Sequence, residues 1–200
     1  SWYRRQRQMC IRDSNKGGTF WDRFVVRVAP AENNLPYREA SRINIHRDTW
    51  GTNLYQQINW WAPVSNVEEK NTMIFYPDYF DVPVKNTTST WDLNIYLANR
   101  KKGDFSYPSA PQLKEDLPSN IKKIPVTIKP GEILCFSGAH LHSSSKEKSE
   151  NTRISFEIRT ICENDLNSSA QAPNVDCDLQ WKFPKIFKKI NDNSPLKITS

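Results

Sequence analysis

The three histidines of this chain sit in two short stretches, His46 in INIHRDTWG (43–51) and His140 with His142 in GAHLHSS (138–144). Asp48 follows His46 by two residues. On a strand, positions i and i+2 point the same way, so a His-x-Asp step presents both side chains to one ion. Two imidazoles and one carboxylate with coordination positions left open are a ligand set suited to non-haem Fe(II). The third ligand must come from a distant strand. His142 lies 96 positions after His46 and can supply it, with His140 its competitor. His-x-Asp alone is frequent by chance. It gains weight from Arg153-Ile154-Ser155, eleven positions after His142. An arginine there can grip a carboxylate through two parallel hydrogen bonds, and a hydroxyl two residues on shares its strand face.

The elements that must position these groups read as strands. Runs rich in β-branched and aromatic residues recur between Pro, Asn and Gly: FVVRVA (24–29), LYQQINWWAPV (54–64), TMIFYP (72–77), LNIYLA (93–98), IPVTI (124–128), EILCF (132–136) and RISFEIRTI (153–161). Their spacing predicts an all-β core with minor helices, a sandwich or barrel. Helical pieces are expected only near 14–23 and 181–190, and KPGE (129–132) reads as a tight turn. Period 2 puts Gln57, Asn59 and Trp61 on one face of their strand, with Ile58, Trp60 and Ala62 opposite. It likewise sets Arg153, Ser155, Glu157 and Arg159 against Ile154, Phe156 and Ile158. The apolar face of each strand is assigned to core, and the polar face to solvent or a cavity wall.

The order His-x-Asp, distal His, Arg-x-Ser resembles the Fe(II)/2-oxoglutarate dioxygenase superfamily, and within it the phytanoyl-CoA dioxygenase-like branch. The likeness spans roughly 40–160 and rests on HRD (46–48), QINWWAPV, MIFYPDYF (73–80) and GEILCFSGAHLHSSS…NTRIS (131–155). It implies a double-stranded β-helix, a cupin-like jelly roll with the metal in its mouth. It assigns His46, Asp48 and His142 to Fe(II), preferring His142 over His140 because LHSS matches the family pattern, and Arg153 and Ser155 to the distal carboxylate of the cosubstrate 2-oxoglutarate. The activity implied is hydroxylation of a C–H bond with O2, releasing succinate and CO2. Halogenation is disfavoured, since halogenating relatives replace the carboxylate that Asp48 supplies.

Around this set, Gln57 and Asn59 are expected to hydrogen-bond the cosubstrate or the metal-bound carboxylate, or else to satisfy a buried strand. Trp50 either walls the pocket or packs. Glu157 and Arg159 share the face of Arg153 and either serve the site with it or form a mutual ion pair. A lid over the site is expected from 78–123 or from a partner subunit, and SSSKEKSENT (143–152) reads as an exposed hairpin loop.

At 200 residues the chain fits a single domain, with its core at about 40–162. The hydrophobic content of 37%, with seven tryptophans, excludes wholesale disorder. The four cysteines lack the short paired spacings of zinc or redox motifs, so free thiols in a reducing, cytoplasmic setting are expected. No apolar run spans a membrane, and none follows the basic start SWYRRQRQ as in a secretory leader. The sequons NTT (86–88) and NSS (167–169) are read as chance matches. The net charge of +6 is dispersed apart from WKFPKIFKKI (181–190), so the expected partner is a small, possibly anionic metabolite and not nucleic acid. A metal-retaining, non-catalytic binding module for a sugar or nucleotide-sugar, or a hydroxylase of protein or nucleic acid, are the alternatives. The sequence specifies neither the substrate nor the oligomeric state.

Overall fold

The computed structural model describes residues 18–31, 43–145, 149–168 and 170–198. Nine strands occur among them: β1 Thr19–Trp21, β2 Val25–Ala29, β3 Ile58–Pro63, β4 Met73–Phe75, β5 Ile124–Pro125, β6 Leu134–Ser137, β7 His142–Ser144, β8 Arg153–Cys162 and β9 Lys188–Lys189. The helices are short: α1 Thr49–Thr52, α2 Leu93–Lys101 and α3 Glu163–Asn167.

All pairings are antiparallel. The larger sheet runs β6-β3-β8-β1-β9, with β2 also on β8; the smaller runs β5-β4-β7. Residues 43–46 run antiparallel beside β7 through an isolated bridge, bonded through His46 N to His142 O (2.9 Å), His142 N to His46 O (3.0 Å) and Ser144 N to Ile43 O (2.9 Å). Followed along the chain, β2 lies in the large sheet, 43–46 beside the small, β3 in the large, β4 and β5 in the small, β6 in the large, β7 in the small and β8 in the large. Two facing sheets wound alternately by one chain make a double-stranded β-helix, as expected.

Burial corrects the assignment of faces in β8. Arg153 and Ser155 are buried, whereas Ile154 is 37% exposed, so here the polar face turns inward and the apolar face outward. In β3, flanked by β6 and β8, both faces are buried: Gln57 before it and Asn59 and Trp61 within it on one side, Ile58 and Ala62 on the other. Trp61, Met73, Val126 and Phe136 fill the space between the sheets.

LNIYLA is not a strand but part of α2. The Asp92 carboxylate accepts from Asn94 N (2.6 Å) and Ile95 N (3.2 Å), and no residue of α2 is buried. An N-cap that satisfies the first free N–H groups outweighs a β-like composition where no sheet edge is at hand. The helix expected near 14–23 is β1 over 19–21, with 14–17 outside the described residues. That expected at 181–190 is a single 3₁₀ turn, Pro184–Ile186, and then β9. KPGE does turn, with Gly131 at φ +94° and Glu132 N bonded to Lys129 O. Both flanks of 40–162 join the core, since Phe20, Phe187 and Leu196 pack with Leu54 and Ile161, and Ala172, Cys177 and Leu179 pack with Trp50 and Leu141.

In the loop before β8, Ser145 and Ser149 are buried, and Asn71 donates to Ser149 Oγ. Residues 146–148 lie outside the described residues. Asn86 of the first sequon is buried and bonded to the carbonyls of Val84 and Asp176, which suits a structural role. Among the described residues no helix is long and apolar enough to cross a membrane.

Candidate metal centre

Residues 43–46 and β7 bring His46 and His142 together, their ring centroids 4.3 Å apart. Asp48 lies at the head of α1 with its carboxylate between them. His46 Nε2 is 3.6 Å from Asp48 Oδ1, and His142 Nε2 is 3.7 Å from Oδ2. One ligand atom from each residue lies within 4.8 Å of the others. Ligand atoms held at ~2.1 Å from one ion stand roughly 3.0–3.6 Å apart, so modest closure suffices to hold a metal.

Each ring nitrogen has a defined task. His46 Nδ1 is 2.8 Å from Asn44 O and His142 Nδ1 is 2.9 Å from His140 O. A carbonyl only accepts, so Nδ1 carries the proton and Nε2 keeps its lone pair for a metal. Burial, then the neighbouring His46, pushes His142 down to about 4, leaving it neutral and ready to ligate at neutral pH. Burial opposes charge on Asp48, but the two imidazoles and Arg159 outweigh it and hold the carboxyl well below the usual carboxylate range.

His140 stands outside this set. Its ring packs against Phe80 (4.5 Å between centroids) and meets Phe75 edge-on, and only its backbone carbonyl serves the centre, by orienting His142. Burial and then Arg47 push His140 from 6.5 down to about 4. Its folded pKa lies below the unfolded value, so the stability it contributes is present above pH 6.5 and is lost as pH falls toward 4. The shift corresponds to about 3 kcal/mol. Urea unfolding at pH 7 and pH 4.5 is expected to show a smaller acid loss for His140→Gln than for wild type, and equal losses would remove this assignment.

A polar wall surrounds the centre. Arg27, His46, Asp48, Asn59, Trp61, Met73, Phe136, His142, Arg153 and Arg159 line an open cavity. Glu157 and Arg159 do not pair with each other. Glu157 binds Arg27 of β2 (2.5 Å), and Arg159 binds Asp22, which follows β1 (2.5 Å). Arg153, 3% exposed, donates through Nη1 to Asn71 O (2.8 Å), and its guanidinium lies 5.8 Å from the Trp61 ring centre. Burial and then Arg27 lower Arg153 to about 10, so it stays charged at neutral pH. Arg153 Nε and Ser155 Oγ are buried without a hydrogen-bond partner among the described residues. A buried unpaired donor costs ~1–3 kcal/mol, which a bound carboxylate would relieve.

Asn59 donates from Nδ2 to Asp48 Oδ2, while Gln57 lies behind Asn59, outside the cavity lining. Trp50 is fully buried in the core and does not wall the cavity. Residues 78–123 contribute nothing to the described cavity lining.

The sequence reading missed Arg47 and Asp176. Arg47 points away from the metal ligands on either side of it. It is 2% exposed and donates to Asp176 (3.1 Å), Ala139 O (2.6 Å), Tyr79 O (2.7 Å) and Val82 O (2.9 Å). Asp176 also accepts from Trp50 Nε1 (2.7 Å), so one buried carboxylate ties down the middle of the His-x-Asp segment and the helix that follows it. Alternation alone could have flagged Arg47 as an inward cation in need of a partner, but not which acid would serve it.

No protein-family model matches the chain, and no curated protein does. Several solved structures resemble it distantly. A non-heme monooxygenase, ThoJ, in its apo form shares 14% identity at a TM-score of 0.48, covering 72% of this chain and 47% of its own. The non-heme alpha ketoglutarate dependent carbocyclase SnoK from nogalamycin biosynthesis shares 13% at 0.48, covering 88% and 63%. The epimerase SnoN in complex with Fe3+, alpha ketoglutarate and nogalamycin RO shares 14% at 0.46, covering 72% and 50%. The chain spans 47%, 63% and 50% of the length of these three structures, respectively. Likenesses this distant carry no weight for function; the fold rests on strand order and the site on its own geometry.

Proposed function

We propose that this chain is a non-haem Fe(II)/2-oxoglutarate-dependent oxygenase of the phytanoyl-CoA dioxygenase-like kind, hydroxylating a C–H bond of a small, anionic metabolite. The observation that carries this reading is a convergence. The cavity that holds the His46, Asp48 and His142 ligand atoms is also lined by Arg153, whose Nε, like Ser155 Oγ, is buried with no partner among the described residues. A metal face and a carboxylate socket in one cavity suit a metal-chelating dicarboxylate.

When bound, Fe(II) with 2-oxoglutarate supplies the oxidising chemistry, coupling loss of CO2 and release of succinate to hydroxylation by O2. The protein's part is to hold and orient. His46 and His142 present Nε2, Asp48 adds a charged oxygen, and Asn59 keeps that carboxylate from turning. Arg153 and Ser155 take the far carboxylate of the cosubstrate and thereby fix which end reaches the metal. Trp61, Met73 and Phe136 exclude water from one side, and Arg159 and Arg27, lining the same cavity, favour an anionic group on the substrate.

Anaerobic addition of Fe(II) and 2-oxoglutarate to the apoprotein is expected to produce the weak visible charge-transfer band of a metal-chelated keto acid. Metal binding without this band would move the assignment to a ligand-binding jelly roll that consumes no cosubstrate.

A further inference from the structure

Behind Asp48 runs a chain of hydrogen bonds with one direction. The Leu54 backbone N–H donates to Thr52 Oγ1 (3.4 Å), the Thr52 hydroxyl to Gln57 Oε1 (3.2 Å), Gln57 Nε2 to Asn59 Oδ1 (2.9 Å), and Asn59 Nδ2 to Asp48 Oδ2. Its last acceptor is a carboxylate, which can only accept, so each earlier group is left with one role. Thr52 must pass on its hydroxyl proton, Gln57 must accept through oxygen and donate through nitrogen, and Asn59 must face Asp48 with its NH2. Gln57 is fully buried. Space for it depends on residue 138 lacking a side chain, since a Cβ at Gly138 would stand 2.8 Å from Gln57 Nε2 and 3.2 Å from its Cδ.

We infer that Gln57, which does not line the cavity and makes no hydrogen bond to a metal ligand, is a positioning residue of the metal centre. It fixes the Asn59 amide so that Asp48 Oδ2 is occupied and Oδ1 is left to the ion. This inference rests on the metal-centre reading above. The relay starts in α1, the helix that Asp48 itself opens, so the same turn sets the aspartate backbone and, through Gln57, its carboxylate.

Gln57→Glu separates this role from mere packing. A carboxylate at position 57 only accepts. It turns the Asn59 amide round and points Asn59 Oδ1 at Asp48 Oδ2, oxygen against oxygen. Once protonated, the same side chain regains a donor and the relay reforms. Gln57→Met removes the donor without reversing the relay.

The experiment is Co(II) titration of the full chain, followed by its visible bands, at pH 6.5 and 8.5. Gln57→Met is expected to bind ~10–100-fold more weakly than wild type, the usual effect of losing a group that orients a ligand. Gln57→Glu is expected to be weaker still at pH 8.5 and to recover at pH 6.5. The wild-type relay of Thr52, Gln57 and Asn59 holds no ionisable side chain, so wild type is expected to show no such recovery. Thr52→Val, which frees the Gln57 amide to turn, is expected to weaken binding and shift the bands, and serves if the Gln57 variants do not fold. Wild-type affinity, band positions and pH response in the variants would overturn the inference. Failure of wild type itself to bind Co(II) would instead overturn the metal-centre reading, and the inference with it.

Discussion

Asp48→Ala is expected to lose metal binding almost completely while remaining folded. Asp48 contributes the only carboxylate of the ligand cluster, set between two rings whose Nε2 atoms lie 3.6 and 3.7 Å from its oxygens. Groups that merely orient a ligand are worth about 10–100-fold in affinity, so removal of a ligand exceeds about 100-fold. The loss is compounded by Arg159, whose positive charge lines the same cavity and would no longer be opposed by Asp48. The fold should survive, because the tie that anchors this segment is Arg47 to Asp176 on the opposite side. Asp48→Asn is a sharper version, since its amide oxygen can still accept from Asn59 and only the charge is gone. Calorimetric titration with Fe(II) under argon, beside a thermal melt, decides the matter. Near wild-type affinity in either variant would mean that the ion sits elsewhere.

The parts of this protein that could be read from the sequence are those whose chemistry is local. Arg153 and Ser155 lie two residues apart on β8, where period 2 brings them to one side, and His46 and Asp48 are as close in sequence, though Asp48 reaches the same ion from the head of α1. The turn at Gly131 and the alternation in β3 and β8 follow from the same local rules. What could not be read depended on partners far away in sequence. The inward direction of the polar face of β8 is fixed by Asp22, Arg27 and Asn71, which meet Arg159, Glu157 and Arg153 only after the sheet has formed. A buried guanidinium is tolerable where such partners exist. Alternation shows that two faces differ, not which is inside. The helix over 93–101 was obscured for the opposite reason. Its side chains suit a strand, but the deciding interaction is the Asp92 cap, which composition does not weigh.

Arg153→Ala is expected to separate the two halves of the site, leaving metal affinity unchanged and abolishing tight cosubstrate binding. Among the described residues Arg153 bonds to no metal ligand; its Nη1 donates to Asn71 O, while Nε is buried without a partner. A fully desolvated pairing of a guanidinium with a carboxylate is worth about 2–5 kcal/mol when one partner is truncated, so the Kd for 2-oxoglutarate should rise by about 30-fold or more. A keto acid without a distal carboxylate provides the control. Wild type should bind 2-oxoglutarate far more tightly than pyruvate, whereas in Arg153→Ala the two should converge, because the group that tells them apart is gone. General damage to the cavity would weaken both and preserve the ratio. Arg153→Lys should recover only part of the preference, since an ammonium supplies the charge but not the planar fork. Measured through the charge-transfer band, an unchanged ratio between the two keto acids in Arg153→Ala would move the carboxylate socket away from β8, with Arg27 and Arg159 the next guanidiniums along the cavity wall to test.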